Sequence, residues 1–240
     1  MDSQTSSTDV VRTEPMSLMS RFLGIIFSPS AVFEHVVHSP NWLGMLLAIS
    51  IIGAVFIGGF LSTEVGQEAW LDQALSQAGS SSGEISDQQI ETMEKIQPYV
   101  GLIGAGQVLL GGPLVTLILS GVLFVVFSTI LGATSTFRQL FSVVVHSGVI
   151  GAVQNIFTWP LNYFRETMSP SPTSLAAFLP MLEEDSFIYG FANAIDMFLL
   201  WWIIVLAIGL AILYKKKPKS VALSLFIVYG LIAMVIAAVF

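Results

Sequence analysis

The sequence predicts an all-α polytopic membrane protein: a five-span helical bundle, with interfacial amphipathic helices ahead of it and short external helices after the first span. Three observations carry this prediction. Hydrophobic residues make up 54% of the chain and charged residues 10%, too little charge to cover a soluble domain of 240 residues. The apolar residues fall in long runs, and ~20 helical residues are needed to cross a ~30 Å hydrocarbon core. Nothing shows the ~10-residue alternation of a membrane barrel strand, the other spanning solution. The chain has no cysteine, which excludes disulfides, thiolate nucleophiles and thiolate metal sites.

Residues 1–15 (MDSQTSSTDVVRTEP) are polar and acidic, so they read as a disordered cytoplasmic tail rather than a cleaved signal peptide. Residues 16–40 read as interfacial helices. MSLMSRFLGIIF is apolar, too short to cross, and carries Arg21, which suits a helix in the headgroup region. Ser28 is placed to cap a second helix with Pro29 at its first position. On that helix HVVH puts His35 and His38 on one face beside Glu34, a weak metal candidate without a third ligand at clear spacing. SPNW then turns the chain and sets Trp42 at headgroup level.

Residues 41–240 form the membrane domain, with spans at about 42–61, 99–131, 140–161, 187–213 and 221–240. The second run is too long for one straight crossing, and Gly111, Gly112 and Pro113 predict a kink in it. Of the external segments, 63–98 reads as two short helices around a flexible AGSSSGE, and 162–186 as a solvated connector carrying SPSPTS and LEEDS. An acidic rim that concentrates cations is the functional alternative for both. An N-terminus in the cytoplasm places Arg12, Arg21, Arg138, Lys215, Lys216, Lys217 and Lys219 inside and only Lys95 and Arg165 outside. The positive-inside bias selects that orientation for a multi-pass protein of the cell (inner) membrane, with the C-terminus outside. Arg21 and the lysines of KKKPK are also the candidates for contact with anionic lipid.

Ionisable residues inside a membrane are costly and usually face the bundle interior. Asp196, in an otherwise uncharged run from Phe187 to Leu213, and His146 both count as such. If both runs are continuous helices, the two residues lie ~14 Å and ~12 Å from opposite faces, close enough in depth to pair near the midplane. Tyr189, Asn193 and Asp196 then share one stripe, as do Gln139, Ser142 and His146. Three readings compete for this cluster: a buried pair that fixes helix register, a proton- or cation-responsive site, and a ligand or lipid pocket beside the Gly111–Gly112–Pro113 kink. No HExxH, GxSxG or phosphate-cradling loop is present, so neither an enzyme nor a cofactor is expected. KKKPK is the only basic cluster and lies beside a span, so no nucleic-acid partner is expected. GVIGA (148–152) and AIGLA (207–211) read as close helix packing.

Four stretches, in order, resemble one family: SPSAVFEHVVHSPNW, GATSTFRQLFSVVVHSGVI, IDMFLLWWIIVLAIGLAI and the hinge YKKKPKS. Together they are similar to prokaryotic members of the Yip family, the Ypt/Rab-interacting integral membrane proteins. The resemblance implies a five-span bundle with a cytoplasmic N-terminus and a role in membrane organisation or trafficking. It also implies partners among membrane lipids and proteins, a small GTPase or a transporter subunit. The chain lacks the DLYGP-type word and long cytosolic region of many eukaryotic members, which points to a prokaryotic type. The expected function is therefore a non-enzymatic membrane-organising adaptor. The alternatives are a carrier or channel-like component for an ion, proton or lipid, with a midplane Asp196–His146 site, and an accessory subunit of an ABC exporter. Homo-oligomerisation is left open.

Overall fold

The computed structural model describes residues 16–82, 85–130, 132, 134–183 and 186–239. The expected tail at 1–15, with Arg12, lies outside the described residues, as do Leu131, Glu184, Asp185 and Phe240 at the ends of expected elements.

The described residues are mostly helical. Helix α1 (Leu18–Phe27) starts at Ser17, whose hydroxyl accepts from the Ser20 amide at 3.1 Å. Helix α2 (Pro29–His38) begins on Pro29 as expected, but Ser28 makes no side-chain cap. Its amide instead closes α1 on the Gly24 carbonyl at 2.7 Å, which makes a tight elbow. Nor does α2 merely lie on the surface: Val32, Phe33 and Val36 are fully buried. Their one-turn spacing gives an apolar stripe that packs on two of the later helices.

Helix α3 (Leu43–Leu61) is apolar all round, and 19 residues give ~28 Å of rise, one core thickness. Helix α4 (Glu64–Ser82) then folds back, burying Ala69 against Phe60, Leu61 and Val100. Helix α5 (Asp87–Ile96) opens on a capping box between Ser86 and Gln89. It runs through a 3₁₀ turn into α6 (Val100–Gly106). A π-helical turn (Gln107–Gly111) leads on to α7 (Gly112–Phe124), followed by a second π segment to Ile130. The 42 helical residues from Asp87 to Ser128 measure ~63 Å, about twice the core, so α5 must project beyond it. The expected kink takes the form of the π turn, whose wider winding accommodates Pro113 just after it.

Helix α8 (Phe137–Ser147) has a capping box between Thr136 and Gln139 and meets α9 (Val149–Arg165) at Gly148. The run expected as a single fourth span is divided. Helix α10 (Phe187–Ala194) ends before Asp196, and α11 (Met197–Leu213) begins after it. Helix α12 (Pro218–Val239) is the last described element. Among the described residues four helices are thus long and apolar enough to cross a membrane: 43–61, 87–128, 137–165 and 218–238, with α11 a shorter apolar helix of 17 residues.

The core lies where α2, α8 and α11 meet, around Phe33, Leu140, Val143, Leu206 and Leu210. Gly209, in AIGLA, makes that crossing possible: a Cβ there would sit 2.5 Å from Val143 Cγ1 and 3.0 Å from the Phe33 ring. A second close crossing, between Gly58 of α3 and Gly101 of α6, brings a Cβ on Gly58 within 3.1 Å of the Gly101 carbonyl. Such small-residue crossings give membrane helices their van der Waals contact.

Candidate functional site

Asp196 is the N-cap of α11, with extended backbone (φ −112°, ψ 136°) between two helices. Its Oδ1 accepts from the amides of Phe198 (2.8 Å) and Leu199 (3.3 Å) and from Gln154 Nε2 of α9 (3.2 Å). Its Oδ2 accepts from the hydroxyls of Thr173 (2.5 Å) and Ser171 (3.1 Å). A carboxylate is well placed here, because the unpaired amides and partial positive charge of a helix N-terminus favour an anion. Only 8% of Asp196 is exposed, and five donors replace its water.

Ser171 and Thr173 belong to SPSPTS, so the segment expected to be a solvated connector is in fact part of this site. It folds onto the break between α10 and α11. The Leu175 amide donates to the Ile195 carbonyl at 2.8 Å and the Met197 amide to the Thr173 carbonyl at 3.0 Å, an antiparallel bridge between Ser174 and Asp196. Thr173 and Ser174 are buried. The Tyr229 hydroxyl of α12 donates to the Ala194 carbonyl at the end of α10. Backbone groups exposed by the interrupted helix are thereby satisfied from two directions, as burial requires.

His146 and Asp196 do not pair, which corrects the midplane expectation. His146 is fully buried, and its Nε2 lies 3.2 Å from Arg21 Nη1. A guanidinium can only donate, so Nε2 accepts, and Nδ1–H donates to the Ser142 carbonyl at 2.7 Å. Arg21 also donates to the Asn41 carbonyl at 2.8 Å. Partial burial lowers the Arg21 pKa from its ordinary value, yet a guanidinium remains charged at physiological pH. Arg21 thus reaches from α1 to tie the turn before α3 to the buried face of α8. Equal depth required one unbroken helix from Phe187 past Asp196, and that helix ends at Ala194. Gln154, the residue that does reach Asp196, lies eight residues and ~12 Å of helical rise beyond His146.

The remaining candidates separate in the same way. Asn193 is exposed, and because α10 ends at Ala194 the stripe through Tyr189, Asn193 and Asp196 does not continue. The Tyr189 amide caps α10 on the Ser186 hydroxyl at 3.1 Å. Ser142 is buried with its hydroxyl unbonded, while Gln139 serves the α8 cap and donates to the Val37 carbonyl at 3.0 Å. Gly111 ends the π turn, and Gly112 lines a cleft of about 180 Å³ with Ser50, Thr116 and Asn155. Pro113 faces an apolar groove that also includes Trp42 and Phe141, whose rings meet edge to face at 5.0 Å. On α2, His38 Nδ1–H donates to the Glu34 carbonyl at 2.7 Å. Among the described residues no three of His, Asp and Glu converge to hold a metal, at Glu34, His35 and His38 or elsewhere.

Sequence reasoning overlooked Ser171 and Thr173. One local signal was available: an Asp immediately before an uninterrupted apolar run is a helix-start signature.

A family model described as the Yip1 domain matches residues 23–240. Among curated proteins, the membrane protein YknW of Bacillus subtilis (strain 168) is 25% identical over 236 residues, covering 98% of this chain and 94% of that protein. No solved structure gives a significant match. With apolar helices long enough to span a bilayer and a family match over nearly the whole chain, this membrane protein belongs to the Yip1 domain family.

Proposed function

We propose that the chain is a non-enzymatic, membrane-organising adaptor of the cell membrane, acting through lipids and protein partners such as a small GTPase or a transporter subunit. The observation that carries this reading is the state of Asp196. A translocation site needs a carboxylate free to exchange its partners, whereas both oxygens here are occupied by five donors that build the fold. Lipid-facing surface, by contrast, is abundant: α12 exposes Leu223, Ile227, Leu231 and Val235, a stripe at helical spacing.

Orientation follows the distribution of basic residues. Arg21 and Arg138 hold the carbonyls of Asn41 and Pro40, and Tyr214, beside the lysine hinge, accepts from Ser135 Oγ at 3.1 Å ahead of α8. Arg21, Arg138 and Lys215 to Lys219 therefore gather at one end, the end that the positive-inside bias assigns to the cytoplasm. A reporter fused after Phe240 should read as external, and a cytoplasmic reading would reverse the orientation.

The adaptor reading is tested by photocrosslinking from exposed α12 positions in native membranes, followed by identification of the captured proteins. A reproducible partner that a control membrane protein of similar size does not capture is expected. Recovery of lipid alone would count against the protein-partner half of the proposal. The carrier alternative keeps one observation in its favour, the cleft lined by Ser50, Thr116 and Asn155 beside the π turn. Polar side chains and an irregular helix at such a position are the usual ingredients of a membrane binding site.

A further inference from the structure

A half-open groove of about 540 Å³ runs between α7, with the π segment after it, and the first turns of α12. Val122, Val126, Leu225 and Val228 supply its walls, and the Phe127 ring, stacked on Tyr214 at 4.9 Å, backs it. Its strongest polar groups gather at one end, where Lys216, Lys217 and Ser220 stand at the mouth. The chain holds the lysines there: Lys215 takes a left-handed conformation (φ 53°), the Lys216 amide closes α11 on the Ala211 carbonyl at 2.9 Å, and Pro218 starts α12 at once.

We propose that this groove binds one anionic phospholipid of the surrounding bilayer, with its phosphate on Lys216 and Lys217 and an acyl chain along Val122, Val126 and Val228. Charge complementarity selects this occupant. Lys95–Glu91 is the one ion pair among the described residues, so neither groove lysine has a carboxylate partner among them. Glu34 is the one described acid at the basic end of the bundle, so the countercharge has to come from outside the described chain. Ser220 to Val228 spans ~12 Å, and half a hydrocarbon core is ~15 Å, so the groove follows a chain through most of one leaflet. Both Val122 and Val228 are more than half exposed, which leaves the groove open sideways to the lipid that would fill it. An anionic cytoplasmic leaflet supplies the ligand beside a basic hinge.

The assignment deepens the lipid half of the adaptor reading and rests on the cytoplasmic placement of the hinge. It is tested on the full chain by native mass spectrometry after delipidation and exchange into micelles doped with phosphatidylglycerol or phosphatidylcholine. Wild-type protein should retain one phosphatidylglycerol in preference to phosphatidylcholine. K216Q/K217Q should weaken that retention roughly 30-fold, the effect of two juxtamembrane basic residues. S224F fills the groove from an exposed position and keeps every lysine, and it should also lose the lipid. K215Q/K219Q, with lysines outside the groove, should retain it. Equal loss in K215Q/K219Q and K216Q/K217Q would mean diffuse surface attraction and overturn the site, as would undiminished retention in S224F. Far-ultraviolet circular dichroism and gel filtration confirm that each variant is folded. The outcome does not depend on whether crosslinking finds a protein partner, so the two readings fail separately.

Discussion

At the scale of single residues, the buried Asp196 and the partly buried Arg21 hold their charges for structural ends. Replacing Asp196 with Ala removes the cap of α11 and leaves the Gln154 and Thr173 donors without their acceptor. A lost cap costs ~1 kcal/mol and an unsatisfied buried donor ~1–3 kcal/mol, so Asp196→Ala should destabilise by about 3 kcal/mol. Asp196→Asn keeps a capping oxygen, and the hydroxyls of Ser171 and Thr173 can turn to accept from its amide, so about 1 kcal/mol should suffice. Thermal unfolding in micelles ranks the three proteins, and equal loss in both variants would contradict the cap. Arg21→Met keeps the packing of the side chain but removes both donor bonds. It should raise hydrogen exchange in α1 and the turn at Ser39–Asn41 while sparing α11. Of these roles, the helix-start signature at Asp196 stood in the sequence, whereas Gln154, 42 positions away, could be joined to it only by the fold.

At the scale of elements, the apolar runs located the crossing helices because burial in lipid requires them to be long and nearly chargeless. That criterion is blind to a break that costs no hydrophobicity. Ile195 and Asp196 interrupt the run from Phe187 to Leu213 with two residues, and the 171–174 segment closes the gap with backbone bonds from a distance. The π turn at Gln107–Gly111 was legible only as a kink, because proline marks the disturbance and not the winding that relieves it. The predicted Asp196–His146 pair fell with the same break, since its depth argument needed an unbroken helix. If the external segment is seated as described, the double variant Ser171→Ala, Thr173→Val should free it. The Leu175 and Met197 amides should then exchange roughly 30-fold faster, the loss of two side-chain bonds of ~1 kcal/mol each. Unchanged protection at both amides would show that the segment is held by something else.

At the scale of the whole molecule, family membership was readable from the order of four loose stretches, and the model match over residues 23–240 bears it out. Arg21 of α1 and Arg138 of α8 donate to the adjacent carbonyls of Asn41 and Pro40, so these two of the basic residues counted on one face lie together. The two ionisable groups expected to pair are instead apart: Asp196 in a cap and His146 beneath Arg21. A carrier built on that pair loses its site, while an adaptor loses nothing. Flux of protons and monovalent cations into vesicles reconstituted with purified protein tests this most directly, with wild type and Asp196→Asn compared at equal reconstitution. Both proteins should be indistinguishable from protein-free vesicles, because the carboxylate is committed to the fold. A wild-type flux that Asp196→Asn abolishes, with the variant still folded, would contradict the account.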